Sequence, residues 1–200
     1  MTDPALTVRR TVEADWPEVR ALRLEMLADT PLAYLETLAQ AERRSEAEWR
    51  AWARGGSSAE SITVAGILLD GPVRGGIAHD GTTSDGTVRD GTASDGTASE
   101  GRWVATMMSK VPPGASGAFL YGVYVAPSHR GKTAGVTDAL LTRVEEWARE
   151  RGDTLTLEVH ELNGRARAAY RERGFVETGV TLPYPLDRTQ RELQMQKRLR

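Results

Sequence analysis

Two stretches decide how this chain is read: residues 119–141, FLYGVYVAPSHRGKTAGVTDALL, and residues 160–175, HELNGRARAAYRERGF. In the first, an apolar strand predicted over Ala118–Val125 ends at Pro127. It feeds a loop of Gly, Lys and Arg, which opens a helix predicted over Thr137–Arg151. Leu140, Leu141, Val144, Trp147 and Ala148 recur at helical spacing as one apolar stripe, and Gly152 stops the helix. Backbone N–H groups in such a loop point outward together. With the helix dipole they make an anion site suited to a pyrophosphate. Arg130 and Lys132 add positive charge. Neither a P-loop nor a dinucleotide-binding glycine fingerprint is present. In the second stretch, Asn163 precedes a short helix predicted over Gly164–Arg173, with Gly174 as its C′ glycine. Ala166, Ala169 and Tyr170 share one face of it. A tyrosine amid small residues packs close to a slender ligand and presents its hydroxyl. Taken singly, the first stretch also fits an ordinary strand-to-helix connection, and Tyr170 a half-buried core tyrosine.

Working outward, a strand over Thr154–His160 separates the two stretches, with Leu155, Leu157 and Val159 on one face. Upstream, strands are predicted over Leu6–Val12, Ser61–Leu69, Val73–His79 and Arg102–Lys110. Asp70-Gly71-Pro72 makes a hairpin-like turn. Asp15 is an N-cap, with Pro17 in the first turn and Glu18 at the capping-box position. Val19, Leu22 and Met26 give that helix its apolar face, and Pro31 ends it or opens a second helix over Leu32–Arg43. Ser45 and Glu48 form a further capping box ahead of Trp49, Trp52 and Ala53, and Gly55-Gly56 closes this helical region. Downstream come a short strand over Phe175–Thr178, a loop over Gly179–Arg191 and an alternating segment over Arg191–Leu199. The pattern is one α/β domain of the α+β type over residues 1–200. It is interrupted at 80–101 by a D-G-T-x-S repeat with five acidic residues against one arginine, which reads as a mobile loop.

Composition narrows the function classes. At 40% apolar residues the chain can bury a core, and its longest mainly apolar stretch, Ile62–Leu69, is far too short to span a membrane. No apolar segment follows the N-terminal charges, so no signal peptide is expected and the location is read as cytoplasmic. The absence of cysteine excludes disulfides, thiolate metal sites and a cysteine nucleophile. His79, His129 and His160 fit no metal-ligand spacing, so no metal is expected. A formal charge of −2 argues against nucleic-acid binding through a strong net field. The C-terminal arginines read as solvated helix faces, since Arg167 and Arg171 form an i, i+4 row.

Together the two stretches resemble the GCN5-related N-acetyltransferase (GNAT) family. That family's later motif, N-x-x-A-x-x-x-Y-x-x-x-G-F, is matched in full by Asn163, Ala166, Tyr170, Gly174 and Phe175. Its phosphate motif, [RQ]-x-x-G-x-[GA], is matched in place from Arg130. Counted directly, Thr133 stands at the first glycine and Gly135 at the last position. With a loop two residues longer, Gly135 becomes the first glycine and Thr137 the last position, which brings Leu140 and Leu141 into phase with the apolar stripe; this second register is preferred.

The resemblance implies a mixed, mostly antiparallel sheet with helices on both faces and a splayed parallel strand pair, Ala118–Val125 and Thr154–His160. Acetyl-CoA would lie in the splay as acyl donor. It would meet backbone groups of Val123, Tyr124 and Val125, the amides of Arg130, Gly131, Lys132, Thr133, Ala134, Gly135 and Val136, and Asn163. Tyr170 would act as general acid to the departing thiolate. An amine, from a small molecule or a peptide, would attack directly in a ternary complex. Glu158 is the candidate base, with His160 and Glu161 at the same strand end. Tyr34, Glu36, Tyr184 and Asp187 are expected near the acceptor pocket. Dimers are common among proteins resembling this family, so a homodimer is compatible with the resemblance.

Overall fold

The computed structural model describes residues 5–69, 101–131 and 135–199. The predicted strand over Val73–His79, its turn, nearly all of the repeat and Lys132, Thr133 and Ala134 lie outside these residues. Among the described residues seven strands form one sheet in the order β1-β2-β3-β4-β5-β7-β6. They are β1 (Ala5–Arg10), β2 (Ser61–Leu69), β3 (Arg102–Lys110), β4 (Ala118–Val125), β5 (Thr154–His160), β6 (Val176–Tyr184) and β7 (Asp187–Arg198). Every pairing is antiparallel except β4 with β5. On β2 the six consecutive residues Ile62–Ile67 are buried, and on β3 the run from Trp103 to Ser109 is buried. Burial of successive residues means that both faces of the sheet centre are covered. The described helices are α1 (Trp16–Asp29), α2 (Leu38–Glu42), α3 (Glu46–Gly55), α4 (Val136–Arg149) and α5 (Gly164–Glu172), of which α1, α3 and α4 pack against β2 and β3. Among the described residues no helix is long and apolar enough to cross a membrane.

The apolar stripe of α4 buries as its spacing requires: Leu140, Leu141, Val144, Trp147 and Ala148 are all in the core. Ser45 caps α3 in a full capping box, with the Glu48 amide donating to Ser45 Oγ and the Ser45 amide donating to the Glu48 carboxylate at 2.7 Å. Asp15 stands at the N-cap of α1, yet its carboxylate turns away from the helix. It accepts two bonds of 2.7 Å from the Arg9 guanidinium and one from the Val12 amide at 2.8 Å. That tie locks β1 to the start of α1.

Two segments differ from their expected form. Leu32–Arg43 is not one helix. A 3-10 turn over Pro31–Ala33 is followed by Tyr34 in an extended conformation, and Thr37 opens α2 with its own capping box to Gln40. Burial of the Tyr34 ring, 7% exposed, holds the break. Gly179–Arg191 is not a loop either. β6 runs on to Tyr184 and β7 begins at Asp187, so the region is a hairpin. Gly179 at φ +85°, Pro183 and Pro185 read as loop punctuation, but the strands tolerate them because β6 lies at the sheet edge, with a register shift between Glu177 and Thr181.

The parallel pair that matters for the site is short. Only Ala118, Phe119 and Leu120 pair with Leu155, Thr156 and Leu157. At its start the backbones touch: a Cβ on Gly152 would lie 2.3 Å from Ser116 O, and one on Gly117 would lie 2.7 Å from Thr154 O. Gly152 therefore does more than stop α4; it lets β4 and β5 begin side by side. Gly152→Ala should lower stability by about 1–3 kcal/mol through overpacking. Urea denaturation with an unchanged m-value would measure it, and wild-type stability would contradict this contact.

Candidate active site

β4 changes course after Leu120. Gly122, at φ +59°, sits in a bulge where the register against β3 shifts between Thr106 and Met108. Its left-handed conformation favours glycine, and a Cβ there would push on the flexible Met108 side chain, 2.8 Å from Sδ. Beyond the bulge β4 and β5 diverge. A cavity of about 330 Å³ opens beside β4, lined by Tyr34, Val123, Tyr124, Val125, Arg130 and Gly131 on one side and Asn163, Arg165, Ala166, Ala169, Tyr170 and Arg173 on the other. The two stretches that decided the sequence reading thus face one another across one cavity. The small residues Ala166 and Ala169 line it beside Tyr170, as their shared helix face predicts.

The loop ahead of α4 is partly described. Gly135 adopts the left-handed conformation, φ +62°, immediately before the first helical residue Val136. Thr137 lines the cavity from the first turn of α4. Arg130 is anchored: its Nε donates to Val125 O at 2.7 Å, its Nη2 pairs with the Asp29 carboxylate, and its guanidinium stacks 5.5 Å over the Tyr124 ring. This pair holds the Asp29 carboxyl below the usual carboxylate range. The Tyr124 hydroxyl donates to Glu25 Oε1 at 3.1 Å, tying β4 to α1. Asn163 caps α5, its Oδ1 accepting from the Ala166 amide at 3.1 Å.

Tyr170 is half-buried against the Phe175 ring, centroids 5.6 Å apart, and its hydroxyl has no hydrogen-bond partner among the described residues. Burial pushes the phenol up to about 12, with Arg173 opposing weakly. The group therefore keeps its proton through the neutral range and is able to donate it. Glu158 does not line this cavity. It sits on β5 across from Gln194 of β7, and burial raises its carboxyl above the ordinary range. Glu192, one step along β7 and opposite His160, is raised as well, by burial and by the charge of Glu158. The His160 ring is buried, with its Nδ1 accepting from the Leu162 amide at 3.2 Å and its edge meeting Tyr184.

Of the four residues expected near the acceptor pocket, Tyr34 lines the cavity and the other three do not. Glu36 is held between Arg23, at 2.9 Å, and Arg44, at 2.7 Å. Asp187 accepts from Thr189 and Gln190 within the hairpin turn. Tyr184 is buried and its hydroxyl donates to Tyr34 O at 3.4 Å. Sequence reasoning missed Asp29 and Glu25, whose roles depend on α1 lying against β4; no local signal marks them. Among the described residues no group of three or more His, Asp or Glu side chains is placed to hold a metal.

A family model described as the acetyltransferase (GNAT) family matches residues 85–175. That range spans β4, the Gly-rich loop, α4, β5 and α5 and ends at Phe175. No curated protein matches the chain. Among solved structures, the fold is similar to the GNAT-family acetyltransferase from Streptococcus pneumoniae, with TM-score 0.70, 16% identity and coverage of 98% of this chain and 100% of that one. It is similar to yncA from Salmonella typhimurium, solved with its cofactor acetyl-CoA, at TM-score 0.65 and 15% identity over 98% and 95% of the two chains. It is similar too to the ribosomal-protein-alanine N-acetyltransferase from Brucella melitensis, at TM-score 0.64 and 20% identity over 96% and 99%. Residues 85–175 thus match the model of the GNAT family of acetyltransferases, and the described chain shares the fold of solved GNAT-family proteins.

Proposed function

We propose that this protein is an acetyl-CoA-dependent N-acetyltransferase that moves the acetyl group to a primary amine of a small molecule or peptide. The observation that carries this reading is one cavity between β4 and α5, where Asn163, Ala166 and Tyr170 of the later motif meet the start of the phosphate loop. The solved relative that holds acetyl-CoA supports the choice of donor.

In this reading the pantetheine arm lies along the diverging edge of β4, at Val123, Tyr124 and Val125, as an added strand lies along a sheet edge. Amides of the segment from Arg130 to Val136, at the start of α4, receive the pyrophosphate. Arg130 acts through its backbone, because its guanidinium is committed to Asp29 and Val125. Asn163 keeps its amide nitrogen for the pantetheine while its oxygen caps α5. The amine nitrogen attacks the thioester carbonyl carbon, the carbon–sulfur bond breaks, and the thiolate takes the proton of Tyr170. Glu158 is the candidate base; it lies on β5 outside the lining of this cavity, so the proton released by the amine would reach it through intervening water. No covalent enzyme intermediate is needed. The protein is expected to act in the cytoplasm.

Tyr170→Phe should lower kcat about a hundredfold or more while leaving the acetyl-CoA-induced rise in melting temperature intact. Thiol release with an amine panel measures the first and thermal unfolding the second. Binding without turnover in both forms would make the protein an acyl-CoA-binding module instead.

A second outcome concerns pH. Burial raises the Glu158 carboxyl in the folded state, so folding disfavours its charged form. The penalty is complete above the folded value and vanishes below the unfolded value of about 4.3. Glu158→Gln should therefore raise the melting temperature at pH 7, and the gain should disappear as the pH falls below about 4.3. A gain independent of pH would contradict the assignment.

A further inference from the structure

One face of β5 and β7 carries charge that the fold leaves without a counter-ion. The ladder between the two strands is unbroken, with Glu158 opposite Gln194 and His160 opposite Glu192. Directly paired residues point to the same side, so these four share one face, while Leu157 and Met195 fill the core from the other. Both carboxylates are half-buried, and among the described residues neither has a hydrogen bond or an ion pair. Other inward carboxylates are matched: Asp15 by Arg9, Glu36 by Arg23 and Arg44, Glu145 by Lys197 and Arg149. Lys110, on the same face by way of Phe119 and Thr156, lies over the Tyr121 ring at 5.3 Å. His160 supplies no charge either. It is 3% exposed, and its Nδ1 accepts from the Leu162 amide, which leaves the hydrogen on Nε2 and the ring neutral. That Nε2–H is buried without a partner among the described residues, on the face where Glu192 stands opposite. Two carboxylates without a cation and a buried donor without an acceptor mark a face that a ligand completes.

This face adjoins the cavity. The Tyr184 ring meets His160 edge-on, with centroids 4.6 Å apart; its hydroxyl donates to Tyr34 O, and Tyr34 lines the cavity. An amine must lose its charge before it attacks a thioester. A carboxylate that holds the reacting nitrogen as an ammonium opposes that step, so the reaction needs one carboxylate there, as base. A second carboxylate serves only a charge that persists through the transition state. We propose that the acceptor is a dication, a diamine whose reacting nitrogen is served by Glu158 and whose other ammonium stays charged against Glu192. Glu192 is then the residue that sets acceptor specificity. One of its oxygens takes the ammonium, and the other is free to accept from His160 Nε2–H. Burial and the Glu158 charge raise the Glu192 carboxyl, and a bound ammonium reverses that effect. This inference rests on the acetyl-transfer reading given above. The nitrogen–carbon bond forms, the carbon–sulfur bond breaks, the reacting nitrogen gives up its proton toward Glu158, and the remote ammonium keeps its own.

Amines of equal length that differ only in the second charge test this: butylamine against α,ω-diaminobutane, and hexylamine against α,ω-diaminohexane. Thiol release by the full chain at saturating acetyl-CoA is the assay. In the wild type kcat/KM should favour a diamine by about tenfold or more, the size of one charge-assisted hydrogen bond. In Glu192→Gln that preference should fall to about twofold, the statistical gain from two equivalent ends, and the change should come through KM for the diamine. Glu158→Gln should instead lower kcat for both members of a pair alike. Melting curves give a readout free of turnover: α,ω-diaminobutane should raise the wild-type melting temperature more than butylamine does, and Glu192→Gln should lose the difference. Where neither amine turns over, this comparison decides alone. Equal use of monoamine and diamine by the wild type, or a diamine preference kept in Glu192→Gln, would overturn the inference and leave the acetyl-transfer reading standing. No turnover with any amine, together with no rise in melting temperature from acetyl-CoA or CoA, would overturn the proposed function and this inference with it.

Discussion

A parallel strand pair that stops after three residues is the constraint on which the rest depends. β4 and β5 are pressed together at their first residues, where Gly117 and Gly152 allow backbone to meet backbone. They part at the Gly122 bulge, which redirects β4 while keeping it paired to β3. Backbone groups beyond the bulge lose their strand partner. Buried backbone groups without partners are costly, so this edge has to be satisfied by something else. Two side chains do part of that work: Tyr34 after α1, whose hydroxyl meets Val123 O, and Arg130, whose Nε meets Val125 O and which is itself held by Asp29 from the end of α1. The amides that remain define the cavity's polarity.

The same constraint explains why the periphery is tied so heavily to α1. Asp15, Glu25 and Asp29 each receive a bond from β1 or from the β4 region. The helix thereby ties β1 to the diverging end of β4. On the opposite side of the cavity, α5 contributes small residues and one tyrosine. Three of its arginines are paired as helix-face arginines commonly are: Arg167 and Arg171 converge on Glu177, and Arg173 reaches Asp138. That arrangement agrees with reading the arginine row as a solvated face.

Much of this was legible from the residues. The α4 stripe, the Ser45 capping box, the strand boundaries of β2 to β5 and the joint placement of Asn163, Ala166 and Tyr170 all follow from local periodicity and spacing, and all appear in the structure. What was not legible depends on long-range contacts. The β6–β7 hairpin was hidden because Gly179, Pro183 and Pro185 carry loop signals that an edge strand tolerates. The break at Tyr34 was hidden because its cause is burial against β4, 89 positions away in sequence. Glu36 looked free to meet a cationic acceptor, and only the fold brings Arg23 and Arg44 onto it. Arg130 read as a charge for phosphate, but its side chain is used up by structure.

The most direct test of the central claim is an amide-resolved NMR titration of the full chain with CoA. The account predicts large shifts in the Val123 and Val125 amides and at the start of α4 and α5, with little change across β1, β2 and β6. Shifts confined to the hairpin, or unchanged Val123 and Val125 amides at saturating CoA, would show that the diverging edge of β4 is not where the cofactor lies.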